Sequence, residues 1–196
     1  MHVLQSISAR MIVAITLVTA GSCGVLAAFS MWQQQGIVDT ALQRELKNDY
    51  ANITAALSAE TGYSLFSASA YRSYDTQIST YDGWVADYGQ AEADRFSARP
   101  GHSEHQTGLA MDLGASSCGC TDEPFGSTPE GIWVAANAWR FGYIVRYPDG
   151  YEAVTGYIWE PWHVRYVGLA IAQAMHDGGI ATLEDYYGTG PAPNYG

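Results

Sequence analysis

The order of apolar and polar positions divides the chain into short helices and short strands. Leu42, Leu46, Tyr50, Ile53 and Leu57 recur at spacings of three and four, which predicts a helix from about Thr40 to Glu60, stopped by Gly62. Leu65 to Tyr71 is apolar and rich in small residues, and reads as a buried strand. Tyr74 to Tyr88 reads as a helix with Gly83 a weak point, and Asp94 to His102 as a loop. From Gly108 to Leu113, Gly108, Ala110 and Asp112 alternate with Leu109, Met111 and Leu113. That period of two predicts a strand with one apolar face; the other is kept small by Gly108 and Ala110, as if something sits close to the backbone.

The second half continues the pattern. Ser127-Thr128-Pro129-Glu130 reads as a helix start, with a hydroxyl cap, proline in the first turn and Glu130 three residues after Ser127. That helix should run to Phe141 and stop at Gly142. Tyr143 to Tyr147 reads as a strand, Pro148-Asp149-Gly150 as a turn, and Thr155 to Trp159 as the returning strand of a hairpin. Pro161 takes Glu160 out of helical geometry, so Glu160 and His163 lie on an extended or turning segment. Val164 to Val167 fits strand or loop. Helices are expected over Gly168 to His176 and Leu183 to Tyr187, and a disordered tail over 188–196.

Residues 11–32 carry no charged side chain and follow Arg10. They read as a hydrophobic N-terminal helix serving as an export signal or a single membrane anchor. This gives an N-terminal segment over 1–36, a linker and helix start over 37–47, and one main domain over 48–187. A net charge of −11 argues against nucleic acid as a partner. Three cysteines are too few for a disulfide scaffold. Cys118-Gly119-Cys120 admits a zinc half-site, a loop disulfide or two free thiols, and no second cysteine pair exists to complete the first.

The candidate chemistry lies in Ser103 to Asp112 and in Trp159-Glu160-Pro161-Trp162-His163. His105, Asp112 and His163 supply two nitrogens and one oxygen, the set a catalytic zinc uses with one position left for water. His102 is a rival ligand three residues before His105, and His176 reads as a solvated histidine or one interacting with a helix end. Glu160 is spaced to take a proton from a metal-activated water. Arg72, at the end of a buried strand, reads either as half of a surface ion pair or as a planar fork for a substrate carboxylate. No His-Glu-x-x-His motif is present, which excludes the helical zinc-protease arrangement.

These residues carry a family resemblance. Ser103 to Asp112 as SxHxxGxAxD, Tyr71 to Gln77 as YRSYDTQ and Glu160 to His163 as EPWH resemble the VanY-type D-alanyl-D-alanine carboxypeptidases, zinc peptidases that include L,D-carboxypeptidases. The likeness covers about residues 48–187. It implies an α+β fold of the hedgehog/D,D-peptidase kind, with helices packed on a small, mainly antiparallel sheet. It implies one zinc ion on His105, Asp112 and His163, with Glu160 as general base and acid. It implies Arg72 at the oxyanion or the peptide carboxylate, and Gln77 and Ser103 lining the substrate site. The implied substrate is a peptidoglycan stem peptide losing its C-terminal D-alanine outside the cytoplasm, by a chain not expected to oligomerise. L,D-carboxypeptidase or endopeptidase action is the alternative within this chemistry, and a non-catalytic wall-binding module the alternative outside it. Trp159 stands where the family often has tyrosine, and the chain before residue 48 departs from the family's usual lead-in.

Overall fold

The computed structural model describes residues 50–192. The predicted N-terminal segment, the linker and the first part of the first helix lie outside the described residues, as do residues 193–196. Among the described residues no helix is long and apolar enough to cross a membrane. Helix α1 runs to residue 61 and buries Ile53 and Leu57, four residues apart on one face as the period required.

Strand β1 spans Leu65–Ser69, β2 Ala110–Ala115, β3 Tyr143–Tyr147 and β4 Glu160–Tyr166. They form one four-stranded sheet in the order β1-β2-β4-β3, with every neighbouring pair antiparallel. With its packed helices this is the expected α+β class. Along β2 and β4 the side chains alternate between two faces. Leu113, Ala115 and Val164 enter the core with Ile53, Leu57, Phe125, Trp133, Val134 and Tyr143. Asp112 and His163, one step away from Leu113 and Val164, face the opposite side.

Helix α2, Tyr74–Tyr88, has the predicted bounds; Ser73 caps it by accepting from the Thr76 amide. The short helix α3, Gln90–Ala93, follows. Helix α4 spans Pro129–Asn137 and passes into a 3-10 turn over Ala138–Phe141 that ends at left-handed Gly142. Its cap is Thr128, which accepts from the Gly131 amide, and not Ser127. Glu130, fully buried, turns away from the cap and binds the amide and hydroxyl of Ser117 at 2.9 and 2.7 Å. The loop's need for a partner outweighs the reciprocal capping box. Short helix α5 covers Glu152–Thr155, α6 covers Leu169–Gly178 and α7 covers Leu183–Tyr187.

Three local expectations are corrected. The stretch from Leu65 lies at the sheet edge, and only Leu65 of β1 is buried, because one side of an edge strand has no neighbour to cover it. Thr155 to Trp159 is not a strand. Helix α5 takes up its start, left-handed Gly156 ends that helix, and the strand that pairs with β3 begins at Glu160. Gly108 is needed for its backbone, φ +73°, closing the 3-10 turn over Glu104–Thr107, and not for a close approach across a strand. Of the expected tail over 188–196, residues 188–192 are described, with the Ala192 amide donating to the Val154 carbonyl at 2.8 Å, and residues 193–196 lie outside the described residues. Cys118 and Cys120 are joined by a disulfide, which settles the three readings of that loop.

Candidate metal centre

The sheet brings His163 to Asp112 by strand register alone, since the two are direct partners across β2 and β4. His105 reaches them from the 3-10 turn that leads into β2. The backbone of that turn is pinned to the chain after β1, because the His105 carbonyl accepts from the Arg72 amide at 3.2 Å. His105 Nε2 lies 3.2 Å from Asp112 Oδ2, and His163 Nδ1 lies 3.2 Å from Asp112 Oδ1. The two imidazoles stand edge to face, 86° apart. Tetrahedral zinc with bonds of about 2.0–2.1 Å separates neighbouring ligand atoms by about 3.3 Å. Each of the two spacings, one to each Asp112 oxygen, is close to that edge length, and one ligand atom from each of the three residues lies within 4.8 Å of the others.

The donor chemistry fits a cation as well as the spacing does. Asp112 Oδ1 is buried with no hydrogen-bond partner, an expensive state for a carboxylate oxygen that a bound cation relieves. Burial raises the Asp112 carboxyl, but the adjoining His105 and His163 rings outweigh it and hold the group well below the usual range. His105 Nδ1 faces the Ala70 carbonyl at 2.6 Å, which fixes the proton there and leaves Nε2 free to ligate. His102, the rival ligand, is not among the three residues gathered here. His176 stacks on Trp139, centroids 4.0 Å apart, in another part of the molecule.

Glu160, Arg72, Gln77 and Ser103 line the same cleft as the three ligands, a space of about 440 Å³. Glu160 opens β4, and its Oε2 lies 3.7 Å from His163 Nδ1. Burial pushes its carboxyl up to about 8, and the neighbouring Asp112 and Glu104 carboxylates push in the same direction while His163 and Arg72 oppose them. His163 is raised to about 9: burial works against its charge, yet Asp112 and Glu104 outweigh it.

Arg72 follows β1 and is held on two sides. Its Nη1 donates to Gln77 Oε1 and its Nη2 to Ser69 Oγ, both at 3.0 Å. Nη2 also lies 3.8 Å from Asp112 Oδ2. Gln77 is 1% exposed, and its amide nitrogen donates to the Ala98 carbonyl at 2.7 Å. Its side chain is thus committed to holding Arg72. Ser103 is buried at the start of the 3-10 turn. The aromatic side chains of Trp84, Phe96, Tyr147, Tyr157 and Trp162 also line it.

The sequence reading passed over Glu104. Its Oε2 lies 3.6 Å from His163 Nε2, and Arg146 and Arg165 lie 3.0 and 3.4 Å from its Oε1. The available signal was a carboxylate adjoining His105 within the Ser103 to Asp112 stretch; its partners all come from strands far along the chain.

Comparison with known proteins gives the family. The family model VanY, D-alanyl-D-alanine carboxypeptidase, matches residues 39–169. YodJ of Bacillus subtilis is 42% identical over 159 residues, covering 76% of this chain. The chain spans 58% of that relative's length, so the activity of the whole relative does not transfer with the likeness. The structure of the LdcB LD-carboxypeptidase superposes with a TM-score of 0.68 at 44% identity, over 74% of this chain and 67% of that one. The vancomycin resistance D,D-pentapeptidase VanY, solved in complex with Zn(II), superposes with a TM-score of 0.63 at 33% identity, over 72% and 80%. The chain belongs to the VanY family of D-alanyl-D-alanine carboxypeptidases.

Proposed function

We propose that this chain is a zinc carboxypeptidase that removes the C-terminal D-alanine from peptidoglycan stem peptides. The observation that carries the reading is the meeting of His105, Asp112 and His163 with Glu160 and Arg72 in one cleft. His105 through Nε2, Asp112, and His163 through Nδ1 would hold the ion. When bound, zinc supplies an acidified water and polarises the scissile carbonyl.

The chain's own residues do the rest. Glu160 takes a proton from the attacking water and passes it to the leaving amine; its burial keeps it basic enough for the first task and acidic enough for the second. Arg72, held by Gln77 and Ser69, donates from its guanidinium to the oxyanion or to the substrate's terminal carboxylate. Ser103 lines the wall beside the scissile bond. The intact ligand set and base argue against a non-catalytic wall-binding module. The substrate class places the reaction outside the cytoplasm, in keeping with the uncharged stretch 11–32 and with a disulfide at Cys118–Cys120.

A second reading, an L,D-carboxypeptidase acting on tetrapeptides, is favoured by the higher identity to LdcB than to VanY. Digesting penta- and tetrapeptide stems side by side and weighing the products decides. Loss of D-alanine from the pentapeptide alone supports the first reading. Loss from the tetrapeptide alone supports the second. Hydrolysis of neither by the zinc-loaded chain sinks both.

A further inference from the structure

We propose that α7, at the far end of the described chain, takes part in metal binding through a buried relay running Glu184–Arg146–Glu104–His163. The inference rests on the metal reading above and concerns what holds the third ligand. His163 points Nδ1 at Asp112, so ligation through that nitrogen requires the ring proton on Nε2. That proton needs an acceptor. His163 Nε2 is buried without a hydrogen-bond partner, and so is Glu104 Oε2. The two atoms face each other at 3.6 Å, so a small rotation of the imidazole makes a charge-assisted hydrogen bond between them.

Glu104 is held for this task from behind. Arg146 Nε donates to its Oε1 at 3.0 Å, and Arg165 stands 3.4 Å from the same oxygen. Oε1 is thereby occupied and Oε2 is turned to the imidazole. Arg146 is itself fixed by a two-point fork to Glu184, at 3.0 and 2.6 Å, and its guanidinium lies over the Tyr147 ring. Thr182 caps α7 by accepting from the Asp185 amide, which holds Glu184 at that distance. The other histidine ligand uses a neutral outer partner, the Ala70 carbonyl. His163 alone has an anionic one, and its orientation depends on a residue beyond position 169, where the family match ends. Glu104, Arg146 and Glu184 are positioning residues: none touches the ion.

A purely structural ion pair would tie α7 to β3 without touching metal affinity, so the test reads the metal directly. In the full-length chain, zinc affinity is measured by competition against a chelator, and the absorption spectrum of the cobalt-substituted protein is recorded. Glu104→Gln is expected to weaken zinc binding about 10–100-fold, the usual cost of removing an outer partner of a histidine ligand, and to shift the cobalt bands. Glu184→Gln, one step further out, is expected to weaken it by a smaller factor, in the range of about 3–10. The double variant should bind no more weakly than Glu104→Gln, because the relay is already cut.

Glu60→Gln, which breaks the surface pair with Arg140, should leave zinc affinity unchanged. If Glu184→Gln does not fold, Arg146→Lys, which keeps the charge and loses the fork, carries the same expectation. Wild-type zinc affinity and an unshifted cobalt spectrum in Glu104→Gln and Glu184→Gln overturn the relay and leave the metal reading intact. A wild-type chain that takes up no divalent ion overturns the metal reading and the relay with it.

Discussion

Asp112 and His163 are direct partners across β2 and β4, and Oδ1 of one lies 3.2 Å from Nδ1 of the other. Two ligands more than fifty positions apart in sequence are thereby set at metal-ligand spacing by backbone hydrogen bonding. Glu160 joins them through an irregularity. Between Val145 and Tyr147, two steps along β3 are matched by four along β4, from Val164 to Glu160. In a regular strand residues three apart face opposite sides. The extra residues around Pro161 turn Glu160 back to the face of His163, a re-aiming that bulges perform beside active sites.

This separates the roles of the two residues experimentally. His163→Ala removes a ligand, and zinc content after dialysis should fall far below one ion per chain. Glu160→Gln keeps size and hydrogen-bonding shape, and should retain zinc while turnover of stem peptide drops by about 10²–10⁴. Normal turnover by Glu160→Gln would remove it as the base.

Arg72 is expected to act on charge that develops during reaction. Arg72→Ala should lower kcat/KM by about 10²–10³ with zinc content unchanged. Gln77→Leu should cost less in rate and about 1–3 kcal/mol in stability, because it strands the Ala98 carbonyl and one arm of Arg72. Steady-state kinetics with urea unfolding of each variant compare the two. Equal kinetic losses would make Gln77 a substrate contact after all.

Asp94 gives a pH prediction remote from the ligands. Hydrogen bonds from Arg99 lower its carboxyl below the ordinary value against the opposing effect of burial, and Tyr81 helps; the Arg99 contacts are 3.0 and 2.7 Å. A carboxyl easier to deprotonate when folded stabilises the fold above its unfolded pKa of about 3.9, and that help is lost as pH falls through the lowered folded value. Both side chains are partly exposed, so the effect should be about 1 kcal/mol. Urea unfolding of wild type and Asp94→Asn should differ by that amount near neutral pH and converge in acid. A constant difference across that range would rule out the ion pair as its source.

Glu130→Ala should destabilise by about 2–3 kcal/mol by stranding the Ser117 amide and hydroxyl. Zinc affinity should stay at the wild-type level, since Glu130 holds the disulfide loop to α4 and does not line the cleft. Thermal melts with zinc titration check both halves.

Much of this protein is written locally. The bounds of α2, the strand at Tyr143 to Tyr147 and the buried pair Ile53 and Leu57 follow from periodicity, which acts over a single turn or hairpin. The types and spacing of His105, Asp112, His163, Glu160 and Arg72 were legible for the same reason: each sits in a short run whose chemistry stands out. The tertiary structure alone decided the rest. Thr155 to Trp159 reads as a returning strand yet stays out of the sheet, because the β3 partner positions are taken from Glu160 onward. Gln77 donates to the Ala98 carbonyl, Glu130 holds Ser117 and Glu104 faces His163 through contacts between separate elements. Local propensity fixes an element's type within a few residues. The partner of a buried carboxylate or amide is chosen by whichever donor the assembled fold brings within about 3 Å, and no spacing along the chain records that distance.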